Sequence, residues 1–66
     1  MLSMKIGKNV KRLREKRGLT QEALAAKVGI HRVHLTRIES AVRTPSVEML
    51  EKLAKALKVK VGELVE

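Results

Sequence analysis

The sequence predicts an all-α fold, and three observations support this prediction. Apolar residues recur every three or four positions along most of the chain, as they do on the buried face of a helix. Only Val59 and Val61 alternate like a strand, which is too short a pattern to form one. The 66 residues include neither cysteine nor aromatic residues, so packed aliphatic helices must hold the fold without disulfides or thiolate zinc sites. This length allows one domain, expected over residues 1–66.

The first predicted helix begins near Met4 and buries a stripe of three aliphatic side chains. Ile6, Val10 and Leu13 follow helical spacing, while lysine and arginine fill the other faces. Gly18 tolerates the left-handed backbone conformation in which many helices end. We therefore expect an amphipathic helix that stops at this glycine.

The next two helices are predicted to be short and to be joined by a tight turn. Thr20 is a suitable N-cap for a helix over residues 21–28, which a glycine ends after about two turns. A new helical pattern begins almost at once, over residues 31–40, with Leu35 and Ile38 on its inner face. Two helices so close along the chain must cross steeply.

The last third of the chain predicts a fourth helix and one further helical turn. Pro45 disfavours helix in the residue before it, so residues 40–45 are expected to form a loop. Ser46 is placed to cap the fourth helix, and residues 62–65 are expected to form a brief fifth turn with Leu64 inward. The apolar residues that mark this fourth helix are Val47, Leu50, Leu53, Ala54 and Leu57.

Positive charge is concentrated in the first two thirds of the sequence. The formal net charge is +8, with eleven Lys and Arg against three Glu in residues 1–45 and four of each in residues 46–66. A one-sided basic field attracts polyanions, although a solvated basic helix or a helix on a membrane surface remain alternatives. No apolar run is long enough for a membrane span or a signal peptide, so we expect a soluble, cytoplasmic protein.

Residues 20–39 have the steric pattern of two helices joined by a tight turn, and they read TQEALAAKVGIHRVHLTRIE. Ala25 is small where the second helix of the pair must approach closely, and Gly29 permits a positive φ in the turn. The sequence therefore predicts a helix-turn-helix over this segment. Its apolar wedge is expected to consist of Leu24, Val28, Ile30, Leu35 and Ile38.

With its flanking segments, this motif resembles the phage repressor and Cro-type helix-turn-helix proteins, also called the xenobiotic-response-element family. The first two helices and turn of that family are similar to KRLREKRGLTQEALAAKVGI, and its third and fourth helices are similar to RIES followed by TPSVEMLEKLAKAL. The resemblance implies a compact five-helix domain like that of lambda repressor, whose third helix enters the major groove of double-stranded DNA. Ala41 and Lys58 stand where glycine is common in the family.

The outward face of the third helix supplies the candidates for reading bases. Arginine can donate paired hydrogen bonds to guanine, threonine can donate or accept at a base edge, and valine can touch a thymine methyl group. For the arginines, phosphate contact or a solvated surface remains the alternative, and for the valine a partial core contact. The base-reading candidates are Arg32, Val33, Thr36 and Arg37.

Phosphate contacts are expected from residues that flank this helix. Gln21 begins the second helix, where backbone amides also point outward, and a glutamine here holds the DNA backbone in similar proteins. The other phosphate candidates are His31, His34 and Arg43. The two histidines lie three residues apart, but no nearby cysteine or carboxylate completes a metal site, so neither a metal nor another cofactor is expected.

The resemblance also implies a structural salt bridge between Arg14 and Glu39, which would link the first helix to the third. The function implied is that of a sequence-specific transcriptional regulator, expected to be a repressor. A single module buries about 600 to 1,000 Å² on DNA, so we expect a homodimer on a palindromic operator, formed in solution or only on DNA. The dimer contact is expected near residues 61–65 or around Val42.

A protein-interaction module is the alternative function, in which an antitoxin-like or coactivator-like domain uses the same fold to hold a partner protein. Such a module needs a binding segment beyond the fold, and only residues 1–4 are candidates. An enzyme is not expected, because the chain has no Cys, Asp or Tyr and its Glu and His residues form no recognisable acid–base pair. No small-molecule ligand and no membrane partner are expected.

Overall fold

The computed structural model describes residues 2–66, which form five helices connected by short loops. They are α1 (Leu2–Lys16), α2 (Gln21–Val28), α3 (Arg32–Glu39), α4 (Val47–Leu57) and α5 (Gly62–Val65). No strand occurs in this described part of the chain, so the all-α prediction is confirmed. Two boundaries differ from those expected: α1 begins earlier than Met4, and α3 is shorter than residues 31–40 because its two end residues act as caps.

One aliphatic core lies between the helices. α1 packs against α3, α4 and α5, while α2 packs against α3 and α4. The core side chains are Ile6, Val10, Leu13, Leu24, Ala25, Val28, Leu35, Ile38, Leu50, Leu53, Ala54, Leu57 and Leu64. Val47 is one of the apolar residues whose spacing predicted α4, but it lies outside this core and is 72% exposed. Val47 starts α4, one turn before Leu50, and that first turn extends past the edge of the core.

The turn between α2 and α3 is fixed by hydrogen bonds at both ends of α2. The hydroxyl of Thr20 accepts from the Ala23 N–H at 3.0 Å, which satisfies one of the free amides at the helix start. At the other end, Gly29 has a φ of 77°, and Ile30 N–H donates to Ala25 O at 3.0 Å. The left-handed glycine ends α2 and directs the chain straight into α3.

The start of α3 is capped by a histidine side chain. His31 Nδ1 accepts from the Val33 N–H at 3.4 Å, which is long for a hydrogen bond. After α3, Ala41 adopts a φ of 65°, and the loop returns so that Val42 N–H donates to Arg37 O at 3.0 Å. The chain therefore uses alanine in a left-handed conformation that favours glycine.

Two side-chain bonds, absent from the expectations above, hold the C-terminal helices against α1 and the residue that follows it. Arg17 Nε donates to Leu57 O at 2.7 Å, which satisfies a carbonyl at the end of α4. Asn9 Nδ2 donates to Leu64 O at 2.9 Å and so ties α5 to the middle of α1. Between these helices, Lys58 ends α4 with a φ of 58°.

The contact between α1 and the end of α3 depends on Gly7. A Cβ atom at this position would lie 2.6 Å from Ile38 O and 2.7 Å from Glu39 O. These separations are far below van der Waals contact, and both neighbours are backbone atoms that cannot rotate away. The glycine therefore lets the α1 backbone lie directly against the last turn of α3, the helix that carries the candidate site.

Candidate nucleic-acid interface

The four base-reading candidates share the exposed face of α3. Arg32, Thr36 and Arg37 are exposed, and the side chain of Val33 is 44% exposed. The same helix buries Leu35 and Ile38 completely, as the predicted inner face requires. Val33 thus presents apolar surface on a face that is otherwise polar and basic, and burial in the core does not account for it.

A buried ion pair lies directly behind this face. Arg14 Nε donates to Glu39 Oε2 at 2.7 Å and Arg14 Nη2 donates to Glu39 Oε1 at 3.1 Å, a two-point pairing in which the side chains are 9% and 4% exposed. A third bond runs from Arg14 Nη1 to Leu19 O at 2.8 Å. The hydrogen bond to Glu39 and the attraction of its charge raise the pKa of Arg14 against the opposing effect of burial. Arg14 therefore keeps its charge, and the pair joins α1 to the end of α3.

The ion pair is linked to Gln21 at the start of α2 and, through it, to Thr36 on the exposed face of α3. Gln21 Nε2 donates to Glu39 Oε1 at 3.0 Å, and Thr36 Oγ1 lies 3.3 Å from Gln21 Oε1. The sequence analysis named the Arg14–Glu39 pair, Gln21 and Thr36 as separate features, and it missed the hydrogen bonds that connect them. The residue spacing along the chain gives no sign of this link, because it arises only when the start of α2 meets the side of α3.

The network leaves specific hydrogen-bonding capacity free. The Gln21 amide carries two N–H groups, of which one is used by Glu39. The Thr36 hydroxyl has one hydrogen, which lies within reach of Gln21 Oε1 at 3.3 Å and of Arg32 O at 3.0 Å. Donation within the protein leaves the Thr36 oxygen as an acceptor toward solvent, while Gln21 retains a donor.

The remaining phosphate candidates lie at the two ends of α3. His31 is exposed at its start, and His34 is half-buried and so offers less surface. Arg43 is exposed beyond the other end, where its N–H donates to Arg37 O at 3.2 Å. The loop thus folds back beside the last turn of α3, and this bond holds the backbone of Arg43 next to that of Arg37.

The described residues form neither a metal site nor a membrane-spanning helix. Within residues 2–66, no three His or Glu side chains come together in a way that suits a metal ion. None of the helices in that range is long and apolar enough to cross a membrane. All the buried polar side-chain atoms described in the structure have hydrogen-bond partners.

Comparison with known proteins gives relatives that match nearly the whole chain. The helix-turn-helix family matches residues 10–64. An uncharacterised helix-turn-helix-type transcriptional regulator of Sinorhizobium fredii, y4dJ, is 43% identical over 60 residues, 91% of this chain and 78% of the relative. The transcriptional regulator SinR of Bacillus subtilis is 36% identical over 62 residues, 92% of this chain. The chain spans 56% of the length of that SinR.

Solved structures show the same arrangement of helices. The restriction-modification controller protein C.AhdI of Aeromonas hydrophila superimposes with a TM-score of 0.90 and 35% identity, over 94% of each chain. SinR, described as the master regulator for biofilm formation and solved in complex with DNA, superimposes with a TM-score of 0.87 and 35% identity, over 92% of this chain and 98% of that one. The five-helix prediction is therefore confirmed by structures of transcriptional regulators.

Proposed function

The chain belongs to the helix-turn-helix family of DNA-binding transcriptional regulators, and from this premise we propose that it is a repressor that binds a palindromic operator as a homodimer. The observation that carries the proposal is the exposed face of α3, which presents two arginines, a threonine and an exposed valine. The buried Arg14–Glu39 ion pair lies directly behind this face. Such a regulator would act in the cytoplasm at the nucleoid.

Base recognition is assigned to the outward side chains of α3 in the major groove. Arg32 and Arg37 each have the planar donor pair that fits guanine O6 and N7, and Val33 has a methyl surface that fits thymine. Thr36 is the more specific case, because its hydrogen is engaged within the protein. Its oxygen is left to accept from cytosine N4 or adenine N6, the two amino donors in the major groove.

Phosphate binding is assigned to groups around the start of α2 and the ends of α3. Gln21 is held by Glu39 and keeps a free N–H, so it can donate to a phosphate without first being immobilised. The other proposed phosphate contacts are His31, His34 and Arg43. Such contacts set the position of the domain on the duplex and are insensitive to base sequence.

Two copies are proposed because a single domain this small contacts only about one half-site, with a buried area of roughly 600 to 1,000 Å². Two surfaces are candidates for the contact between copies. Val42 is 76% exposed, which leaves an aliphatic side chain without cover. Val61 and Val65 are half-buried on the α5 side. Sedimentation of Val42→Glu beside Val65→Glu, with and without operator DNA, separates these surfaces, since only the variant within the contact loses the dimer.

The proposal is tested by selecting binding sites for the purified protein from a random duplex library and titrating labelled winners at several salt concentrations. We expect a two-fold symmetric consensus that is bound far more tightly than random duplex. The logarithm of affinity should fall with the logarithm of salt at about −0.9 per phosphate neutralised. If no consensus emerges and the affinity for every duplex depends only on salt concentration, the proposed operator recognition is contradicted.

A further inference from the structure

A second concentration of positive charge lies away from the exposed face of α3. A groove of about 460 Å³ runs between the end of α2 and the side of α4. Its lining combines four exposed lysines with two small aliphatic side chains, and we call it the α2–α4 groove. The lining residues are Lys27, Lys52, Lys55, Lys58, Val28 and Ala56.

The basic surface continues beyond this groove into two smaller clefts. One is lined in part by Arg17, Lys27 and Lys58, and the other in part by Lys16, Arg17, Lys58 and Glu63. Lys58 therefore borders all three openings. Residues 46–66 carry equal numbers of Lys and Glu, so the sequence alone does not indicate this basic surface. It forms because three lysines of α4 and its cap lie beside basic residues of α1 and α2.

Helix stabilisation explains only part of this lysine cluster. Lys16, Lys27 and Lys55 lie in last turns, where a cation offsets the partial negative charge of the helix end. Lys52 lies in the middle of α4 and forms only an exposed pair with Glu48 at 3.5 Å. Lys58 has a φ of 58°, a conformation that favours glycine over lysine. The Lys52 side chain is therefore not placed at a helix end, and the backbone conformation at position 58 does not select lysine.

The groove is separated from the candidate DNA face by the length of α2. Gln21, at the start of this helix, reaches Glu39 and Thr36, whereas Lys27 and Val28 lie at its far end. Eight helical residues span about 12 Å. All the residues that line the groove come from α2, α4 and the cap of α4, and none comes from α3. A ligand in the groove therefore leaves α3 free.

We propose that the α2–α4 groove binds an acidic segment of a partner protein. Carboxylates of the segment pair with the lysine rim, and one apolar side chain sits against Val28 and Ala56. A DNA backbone matches the lysines but has no aliphatic side chain to place against Val28 and Ala56, which favours a peptide over a second duplex. The proposal does not depend on operator recognition, because the two surfaces share no residues.

The test uses a short fluorescein-labelled peptide of Asp and Glu around one central Leu, measured by anisotropy with the whole chain. The groove variant is Lys27→Gln/Lys55→Gln. Its control is Lys5→Gln/Lys11→Gln, which removes the same charge from exposed positions of α1 that do not line the groove. We expect about tenfold weaker peptide binding by the groove variant, consistent with the loss of two solvent-exposed charge pairs, and near-wild-type binding by the control.

Two further arms identify where the peptide binds. DNA binding by the groove variant should equal that of the wild type, and excess unlabelled duplex should leave the peptide bound. Equal losses in both variants would show that net charge alone attracts the peptide. Displacement by duplex would show that the peptide occupies a surface that DNA also binds. Either result, or no binding to the wild type, would overturn the proposal, while the DNA arm reports separately on the proposed operator recognition.

Discussion

The two ends of α3 are held by very different means. At the end of the helix, Glu39 forms a two-point ion pair with Arg14, and the α1 backbone at Gly7 lies directly against the last turn. At its start, one long hydrogen bond to the His31 ring caps the helix. This difference means that the half of α3 with Thr36 and Arg37 is held in place before DNA binds. Arg32 and Val33 lie on the first turn of the helix, which frays most easily.

Breaking the ion pair should give the largest loss of stability. Arg14→Met leaves the buried carboxylate of Glu39 without its cation, so the free energy of unfolding should fall by about 3 kcal/mol. Arg14→Met/Glu39→Leu should recover much of that loss, because no charge remains buried. Urea unfolding followed by circular dichroism measures both.

Lys52→Met, which breaks the exposed pair with Glu48, is the control and should change stability by less than about 0.5 kcal/mol. Equal losses in the single and double variants would contradict a charge-based anchor.

Adding one methyl group to the α1 contact should have the next largest effect. Gly7→Ala drives a Cβ atom against two backbone carbonyls at 2.6 and 2.7 Å, so unfolding free energy should fall by about 2 kcal/mol. Gly62→Ala is the matched control, since its new Cβ meets nothing within 4 Å. Thermal unfolding of the two variants should differ clearly. If both unfold like the wild type, α1 does not hold the end of α3 as described.

Improving the weak cap should give the smallest effect, and of opposite sign. A serine hydroxyl reaches the amides of a helix start more directly than the long contact of the His31 ring, so His31→Ser should raise unfolding free energy by about 0.5 kcal/mol. His31→Ala, which has no acceptor, should lower it. Chemical denaturation of both variants measures this. Identical stabilities of the serine and alanine variants would mean that the side chain at this position caps nothing.

The sequence was sufficient to predict those features that depend on neighbours along the chain. Helical spacing located the core of every helix. Thr20 and Ser46 marked helix starts by their hydroxyl groups, and Gly29 marked a helix end by its backbone freedom. The same spacing includes Val47, which the structure leaves 72% exposed, because periodicity does not show where the core ends. Exposed ends of helices are therefore the least predictable part of such a pattern.

The features that sequence reasoning missed all join distant segments. Gly7 gave no local signal, since its role depends on α3 approaching within contact distance. The bond from Gln21 to Glu39 joins residues 18 positions apart, and the α2–α4 groove collects lysines from two helices. Resemblance to a family implied the Arg14–Glu39 pair, which composition and spacing alone did not indicate.

The central claim is that the anchored half of α3 reads bases, and the most direct test is site selection by Arg37→Ala beside the wild type and Gln21→Ala. Loss of Arg37 should cost about 1 to 3 kcal/mol on the preferred site and relax preference at one base position in each half-site. Gln21→Ala should weaken all sequences about alike, because Thr36 keeps its bond to Arg32 O. Uniform weakening by Arg37→Ala, with base preference intact, would contradict the claim and assign that arginine to phosphate.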